Sequence, residues 1–278
     1  MDKISLKIKM LYGSIGNAEK RIADWISENP GKIISLSIVE LAEKCRCSEA
    51  TIVRFSKRLG LGGYQELKIS LAAEGGGSSV STNITAADSA YQMFEKVCND
   101  IYMSLEQTKR SLGSDAIERA ANRLCRSDKI VIFGLGNSAS VAMDAGHKFL
   151  RAGLNCVSYS DNHMQVIAAS HLTPKDTAIG ISHSGSSTDI VEALKISKEH
   201  GASTIAITNS GKSPILRHSD IVLSTASEET RHNILALNSR IVQLAIIDAL
   251  YFYIVYNRSA QSLESIKETE HSLLSKKY

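Results

Sequence analysis

Between residues 129 and 225, short aliphatic runs alternate with helix-patterned stretches, and this alternation constrains the fold more than any other feature. The runs "KIVIFG", "NCVSYS", "TAIGIS", "STIAITN" and "DIVLST" are too short for helices. They are separated by "ASVAMDAGHKFLRAG", "MQVIAASHL", "STDIVEALKISKEHG" and "PILRHS". Strands alternating with helices require right-handed crossovers, which lay the strands parallel in one sheet with helices on both faces. The expectation is a doubly wound α/β domain around a five-stranded parallel sheet.

In such a sheet, ligands bind beyond the carboxyl ends of the strands, at the topological switch point. Two loops run there from a strand into a helix: "GLGNSAS" (134–140) and "SHSGSSTD" (182–189). A helix start offers free backbone N–H groups backed by the positive end of the helix dipole, and it attracts phosphate. The loop hydroxyls add donors. Serine is also a good turn and N-cap residue, so one such loop alone is ambiguous; two together favour a phosphorylated ligand. "GLGNSA" matches G-x-G-x-x-A, but only Asp161 offers the acidic partner of a dinucleotide site, and the serine loop is foreign to that fingerprint. No nicotinamide or other cofactor is expected.

The N-terminal part shows no strand-like segment. Residues 1–77 carry 12 Lys and Arg against 9 Asp and Glu, whereas the remainder carries 20 of each, so the whole net charge of +3 lies at this end. Ser37 and Glu40 form a capping box for the helix "IVELAEKC". After the turn "RCS", Ser48 caps a second helix, "EATIVRFSKRLG", closed by Gly60. Two helices on a tight turn suggest a helix-turn-helix. Ile52, Phe55 and Leu59 fall on the inward stripe, and Ala50, Arg54 and Lys57 face outward with Thr51 and Arg58 beside them. These are the residue types that a recognition helix brings to base edges and phosphates. Ser48, Tyr64 and Lys68 are further candidates, with Tyr64 equally suited to the core. In the preceding helix, Ile22, Trp25 and Ile26 read as core. The glycine- and serine-rich stretch 74–90 reads as a linker, giving domains at 1–77 and 91–278 with 78–90 between them.

The segment "SLSIVELAEKCRCSEATIVRFSKRLGLGGYQELKISLA" resembles the helix-turn-helix domain of the RpiR family of bacterial transcriptional regulators. "IFGLGNSASVA", "ISHSGSSTDIVEALK", "GASTIAITN" and "SPILRHSDIVL" resemble the flavodoxin-like sugar isomerase (SIS) domain those regulators carry. The resemblance implies a carbohydrate-operon regulator whose partners are double-stranded operator DNA, a phosphorylated sugar effector and its own copies, as a homodimer or homotetramer. It places Ser138 at the first loop's ligand position and Ser182, Ser184 and Ser187 at the phosphate. Ser187 stands where the family loop often has threonine.

The alternative is a phosphosugar isomerase or lyase with an auxiliary helical domain. Such an enzyme needs a general base; His183, Glu228, Glu229 and His232 are candidates to approach the ligand, and Arg231, Arg240 and Lys148 are candidate ligand cations. No catalytic residue is assigned, while His183 and Glu229 are kept as ligand contacts. The five scattered cysteines lack zinc or redox spacing and read as packed thiols, so no metal is expected. No apolar run reads as a membrane span, and the N-terminus lacks a signal-peptide core, so a cytoplasmic location away from membranes is expected. The helix "NILALNSRIVQLAIIDALYFYIVY" is apolar nearly all round, fit for a core or an oligomer interface. The tail from Arg258 reads as a weakly packed helix.

Overall fold

The computed structural model describes residues 4–29, 31–74, 84–227 and 237–276. They fall into two compact units, one built mainly from residues up to 102 and the other mainly from 103 onward.

The first unit is helical: α1 (Ile4–Leu11), α2 (Asn17–Glu28), α3 (Ile38–Lys44), α4 (Glu49–Arg58) and α5 (Tyr64–Glu74), with a 3-10 turn at Lys32–Ser35. Its core gathers one stripe from each helix, including Ile8, Ile22, Ile26, Leu41, Ile52, Phe55 and Leu67, with Trp25 packed at the edge. Phe55 is fully buried, which stabilises the unit by about 2–3 kcal/mol. The expected capping box is formed: Glu40 N–H donates to Ser37 Oγ at 3.2 Å and Ser37 N–H to Glu40 Oε2 at 2.8 Å. Ser48 Oγ accepts from Thr51 N–H at 3.2 Å and starts α4. The turn between α3 and α4 passes through Arg46 at φ 50°. Arg21 holds that turn by donating to the carbonyls of Cys45 and Arg46, both at 2.8 Å.

Helix α6 (Ala90–Ser111) runs from the first unit into the second. In the second unit follow α7 (Ser114–Cys125), β1 (Ile130–Gly134), α8 (Asn137–Arg151), β2 (Cys156–Tyr159), α9 (Asn162–Ser170), β3 (Thr177–Ile181), α10 (Thr188–Glu199), β4 (Ser203–Asn209), β5 (Ile221–Thr225), α11 (Leu237–Asn257) and α12 (Ser259–Leu273). The strands form one parallel sheet in the order β2-β1-β3-β4-β5. Helices α7, α8 and α11 pack on one face through Leu124, Phe149 and Ile247 against Ile132, Ile181 and Leu223. Helices α9 and α10 cover the other through Ala169 and Leu194 against Val131, Phe133 and Ala206. Strands covered on both faces read as continuous aliphatic runs, which is why the alternation was visible in the sequence.

Helix α11 is, by length and composition, long and apolar enough to cross a membrane, which corrects the expectation that no run would be. Val242, Ile246, Ile247, Leu250 and Ile254 are buried along it, and Ile247 and Leu250 belong to the sheet's core. Helix α12 is tied to α8 by an Arg151–Glu270 ion pair.

Candidate functional site

Strands β1 and β3 are neighbours, with Gly134 paired to Ile181, so the loops that follow them begin side by side. The chain turns left from β1 to β2 and right from β3 to β4, making this gap the switch point of the sheet. Both loops lead directly into helix starts. The N-cap residues Gly136 of α8 and Ser187 of α10 make no side-chain capping bond, and in α8 the Ser138 and Ala139 N–H groups donate to Leu135 O at 3.0 Å and Gly136 O at 3.1 Å. The positive ends of two helices that follow adjacent strands can attract an anion.

Backbone bonds tie the loop after β3 to neighbouring segments of the chain. Ser182 N–H donates to Ile207 O at 3.1 Å, Asn209 N–H to His183 O at 3.0 Å, and Ile215 N–H to Gly185 O at 3.0 Å. Gly185 sits at φ 59°, in the left-handed region that a residue with Cβ enters reluctantly. Ser182 is buried, and His183, Ser184 and Ser187 are half-buried. Ser184 Oγ accepts from Ser186 N–H at 3.3 Å. Opposite, Ser138 is buried in the first turn of α8. The helix can start so close to the strand because residue 134 has no side chain: a Cβ there would stand 2.7 Å from Ser138 O.

Thus Ser138, Ser182, His183, Ser184 and Ser187 all lie on the paired loops. Glu229, like Glu228, Arg231 and His232, lies outside the described residues. Lys148, considered as a ligand cation, is instead held by the carboxylates of Asp144, at 2.6 Å, and Asp248. Asp161, the candidate acid of a dinucleotide site, caps α9 by accepting from Met164 N–H at 2.9 Å.

In the helical unit, Ser48, Ala50, Arg54, Lys57 and Arg58 are exposed along α4. Two expected DNA contacts turn inward. Thr51 is buried, its hydroxyl 2.8 Å from that of Ser48. Tyr64 is buried, and its hydroxyl donates to Leu36 O at 3.0 Å and Ile33 O at 3.3 Å. Lys68 is buried too, donating to Ile34 O at 3.1 Å with its ammonium over the Tyr64 ring. These two side chains anchor the 3-10 turn to α5. The sequence reading also passed over Glu19 of α2, a buried carboxylate paired with Arg58 at 3.3 Å and Arg54 at 3.8 Å. A lone glutamate in an amphipathic helix carries no local sign of a partner on another helix.

Burial pushes the Cys45 thiol up to about 11, with the nearby Cys47 adding to the shift, and pushes Cys156 up to about 12, which keeps both unreactive near neutrality. Among the described residues, no group of His, Cys, Asp and Glu is arranged to hold a metal ion.

A helix-turn-helix unit joined to a doubly wound domain is the architecture of a transcriptional regulator. The chain belongs to the rpiR family: residues 3–76 match the rpiR-family helix-turn-helix domain and residues 123–253 the SIS domain. It is 37% identical over 273 residues, 96% of this chain and 97% of the relative, to an uncharacterised HTH-type transcriptional regulator of Caldanaerobacter subterraneus subsp. tengcongensis. The HTH-type transcriptional regulator HexR of Pseudomonas aeruginosa is 32% identical, covering all of this chain and 98% of its own. The Vibrio vulnificus NanR protein, solved complexed with ManNAc-6P, has the same fold with a TM-score of 0.82 at 21% identity, covering 99% of this chain and 100% of that one.

Proposed function

We propose that this regulator controls a carbohydrate operon through a phosphorylated sugar bound at the cleft between the loops after β1 and β3. The observation that carries the reading is the pair of helix N-termini that follow hydrogen-bonded strand ends, with Ser138, Ser182, Ser184 and Ser187 on the loops that lead into them. The phosphosugar held by NanR, a protein of the same fold, supports the ligand class. Residues 1–77 serve as the DNA-binding part, 78–90 as the linker and 91–278 as the effector part.

The protein acts in the cytoplasm by binding and not by catalysis, and its effector and operator are thermodynamically linked. Whatever factor the phosphosugar imposes on operator affinity, the operator imposes on phosphosugar affinity. A homodimer or homotetramer matches a palindromic operator, with half-site spacing set by the distance between its recognition helices.

Thermal denaturation against a panel of hexose 6-phosphates, including ManNAc-6P, with the parent sugars as controls, tests the reading. A ligand at 100 times its Kd stabilises the native state by about 2.7 kcal/mol. Stabilisation by a phosphosugar and not by its parent is expected. Equal responses to both, or turnover of a stabilising ligand, would refute it.

A further inference from the structure

Glu19 of α2 is an acidic group against the helix that carries the DNA-facing cations. Its side chain is only 7% exposed, and a buried carboxylate costs several kcal/mol unless its partners compensate. Oε2 accepts from Gly16 N–H at 3.3 Å and pairs with Arg58 Nη1 at 3.3 Å. Oε1 has no hydrogen-bond partner, and Arg54 Nε stands 3.8 Å from it. Arg54 and Arg58 lie four residues apart on α4, where two like charges repel; the carboxylate beside them offsets that repulsion. Arg54 remains 66% exposed. An arginine drawn to a carboxylate through Nε keeps both Nη groups for the N7 and O6 acceptors of guanine.

From this geometry we infer that Glu19 is a positioning residue for DNA recognition: it aims Arg54 outward from α4 and so sets base discrimination rather than overall affinity. The inference rests on the DNA-binding reading of α4. An acidic group near DNA lowers affinity for phosphates, so beyond accepting from Gly16 N–H at the start of α2 and pairing with Arg58, the carboxylate is favourable for recognition through the arginine it orients.

The test uses the full chain and a randomised duplex pool. Wild-type protein first selects a preferred duplex, and binding to that duplex, its single-base variants and a scrambled duplex is then measured over a salt series. Glu19→Gln keeps an acceptor for Gly16 N–H and removes the charge. It is expected to lower discrimination at one base pair at least about fivefold, while the scrambled duplex binds equally well or more tightly. Arg54→Ala should lose discrimination at the same base pair, and the double variant should lose no more than Arg54→Ala alone. Glu19→Asp keeps the charge but draws it back, and it too should lose discrimination, which covers the case that Gln does not fold.

Unchanged discrimination in both Glu19 variants would overturn the inference. So would an equal loss of affinity for preferred and scrambled duplexes, or additive effects of Glu19→Gln and Arg54→Ala. A wild-type protein that enriches no sequence defeats the DNA-binding reading itself, before any variant is made, and the inference falls with it.

Discussion

Gly134→Ala puts one methyl group at the closest approach between sheet and helix in the proposed phosphate site. The added Cβ would lie 2.7 Å from Ser138 O and 2.9 Å from Ala142 Cβ, and the first of these is backbone in the opening turn of α8. No rotamer change relieves that contact, so α8 must move away from the strand end. Overpacking of this kind costs about 1–3 kcal/mol. At about 2–4 °C per kcal/mol for a domain of this size, the melting temperature should fall by roughly 2–12 °C.

Gly180→Ala provides a comparison in the neighbouring strand. Its Cβ would lie 2.7 Å from Leu194 Cδ1 and 3.1 Å from Ile190 Cγ2, both side-chain atoms of α10. Both variants should melt earlier in differential scanning calorimetry. Gly134→Ala should also lose its stabilisation by a phosphosugar, because the backbone at the start of α8 must move relative to the loop after β3, whereas Gly180→Ala, which meets side-chain atoms able to turn aside, should keep more of it. A Gly134→Ala protein that melts like wild type would refute the close-approach argument. One that melts earlier yet keeps the full ligand response would refute the role of the α8 N-terminus in binding.

Ser187→Ala should leave the melting temperature of the free protein unchanged, although removing an N-cap serine ordinarily costs about 1 kcal/mol, because Ser187 makes no capping bond; phosphosugar affinity by calorimetric titration should drop. Tyr64→Phe removes the donor to the Leu36 and Ile33 carbonyls and should cost about 1 kcal/mol in urea titration, with the folded protein's DNA affinity unchanged. Although partial burial works against it, the Lys198 ammonium and the Thr204 N–H and hydroxyl hold the Asp220 carboxyl below its usual range. A folded-state value below the unfolded one gives stability that is present above the unfolded pKa, about 3.9, and is lost as pH falls through the folded value. Asp220→Asn should therefore flatten the wild-type loss of stability in acid, read as melting temperature from pH 6 down to about pH 2.

The α/β unit was legible because its strands are covered on both faces and its helices carry single apolar stripes; each element announces itself within a few residues. The capping box at Ser37 and Glu40 and the glycine-serine loops are local signals of the same kind. Tyr64 and Lys68 were misplaced for a shared reason. A polar side chain beside a recognition helix is suited to DNA until the carbonyls it satisfies are known, and those of Ile33, Ile34 and Leu36 belong to a 3-10 turn and its C-cap, which have no sequence signature of their own, whereas Thr51 turns inward to the Ser48 hydroxyl. The Glu19–Arg54–Arg58 cluster and the Arg21 clamp on the turn at Cys45 and Arg46 join helices distant in sequence. Lys148 shows the same limit, since its partner Asp248 is supplied by α11.

The loops 134–140 and 182–189 contain hydroxyls and backbone amides but neither lysine nor arginine. With Asp189 and no lysine or arginine on these loops, a phosphoryl group here is taken by shape and hydrogen bonding, and inorganic phosphate and sulfate should compete for it. The phosphoryl group would then be the handle by which the effector is held, while its sugar identity would have to be read by side chains beyond these two loops. The effector concentration needed for a response would rise with the free phosphate around the protein, making the switch report a ratio of two solutes instead of one.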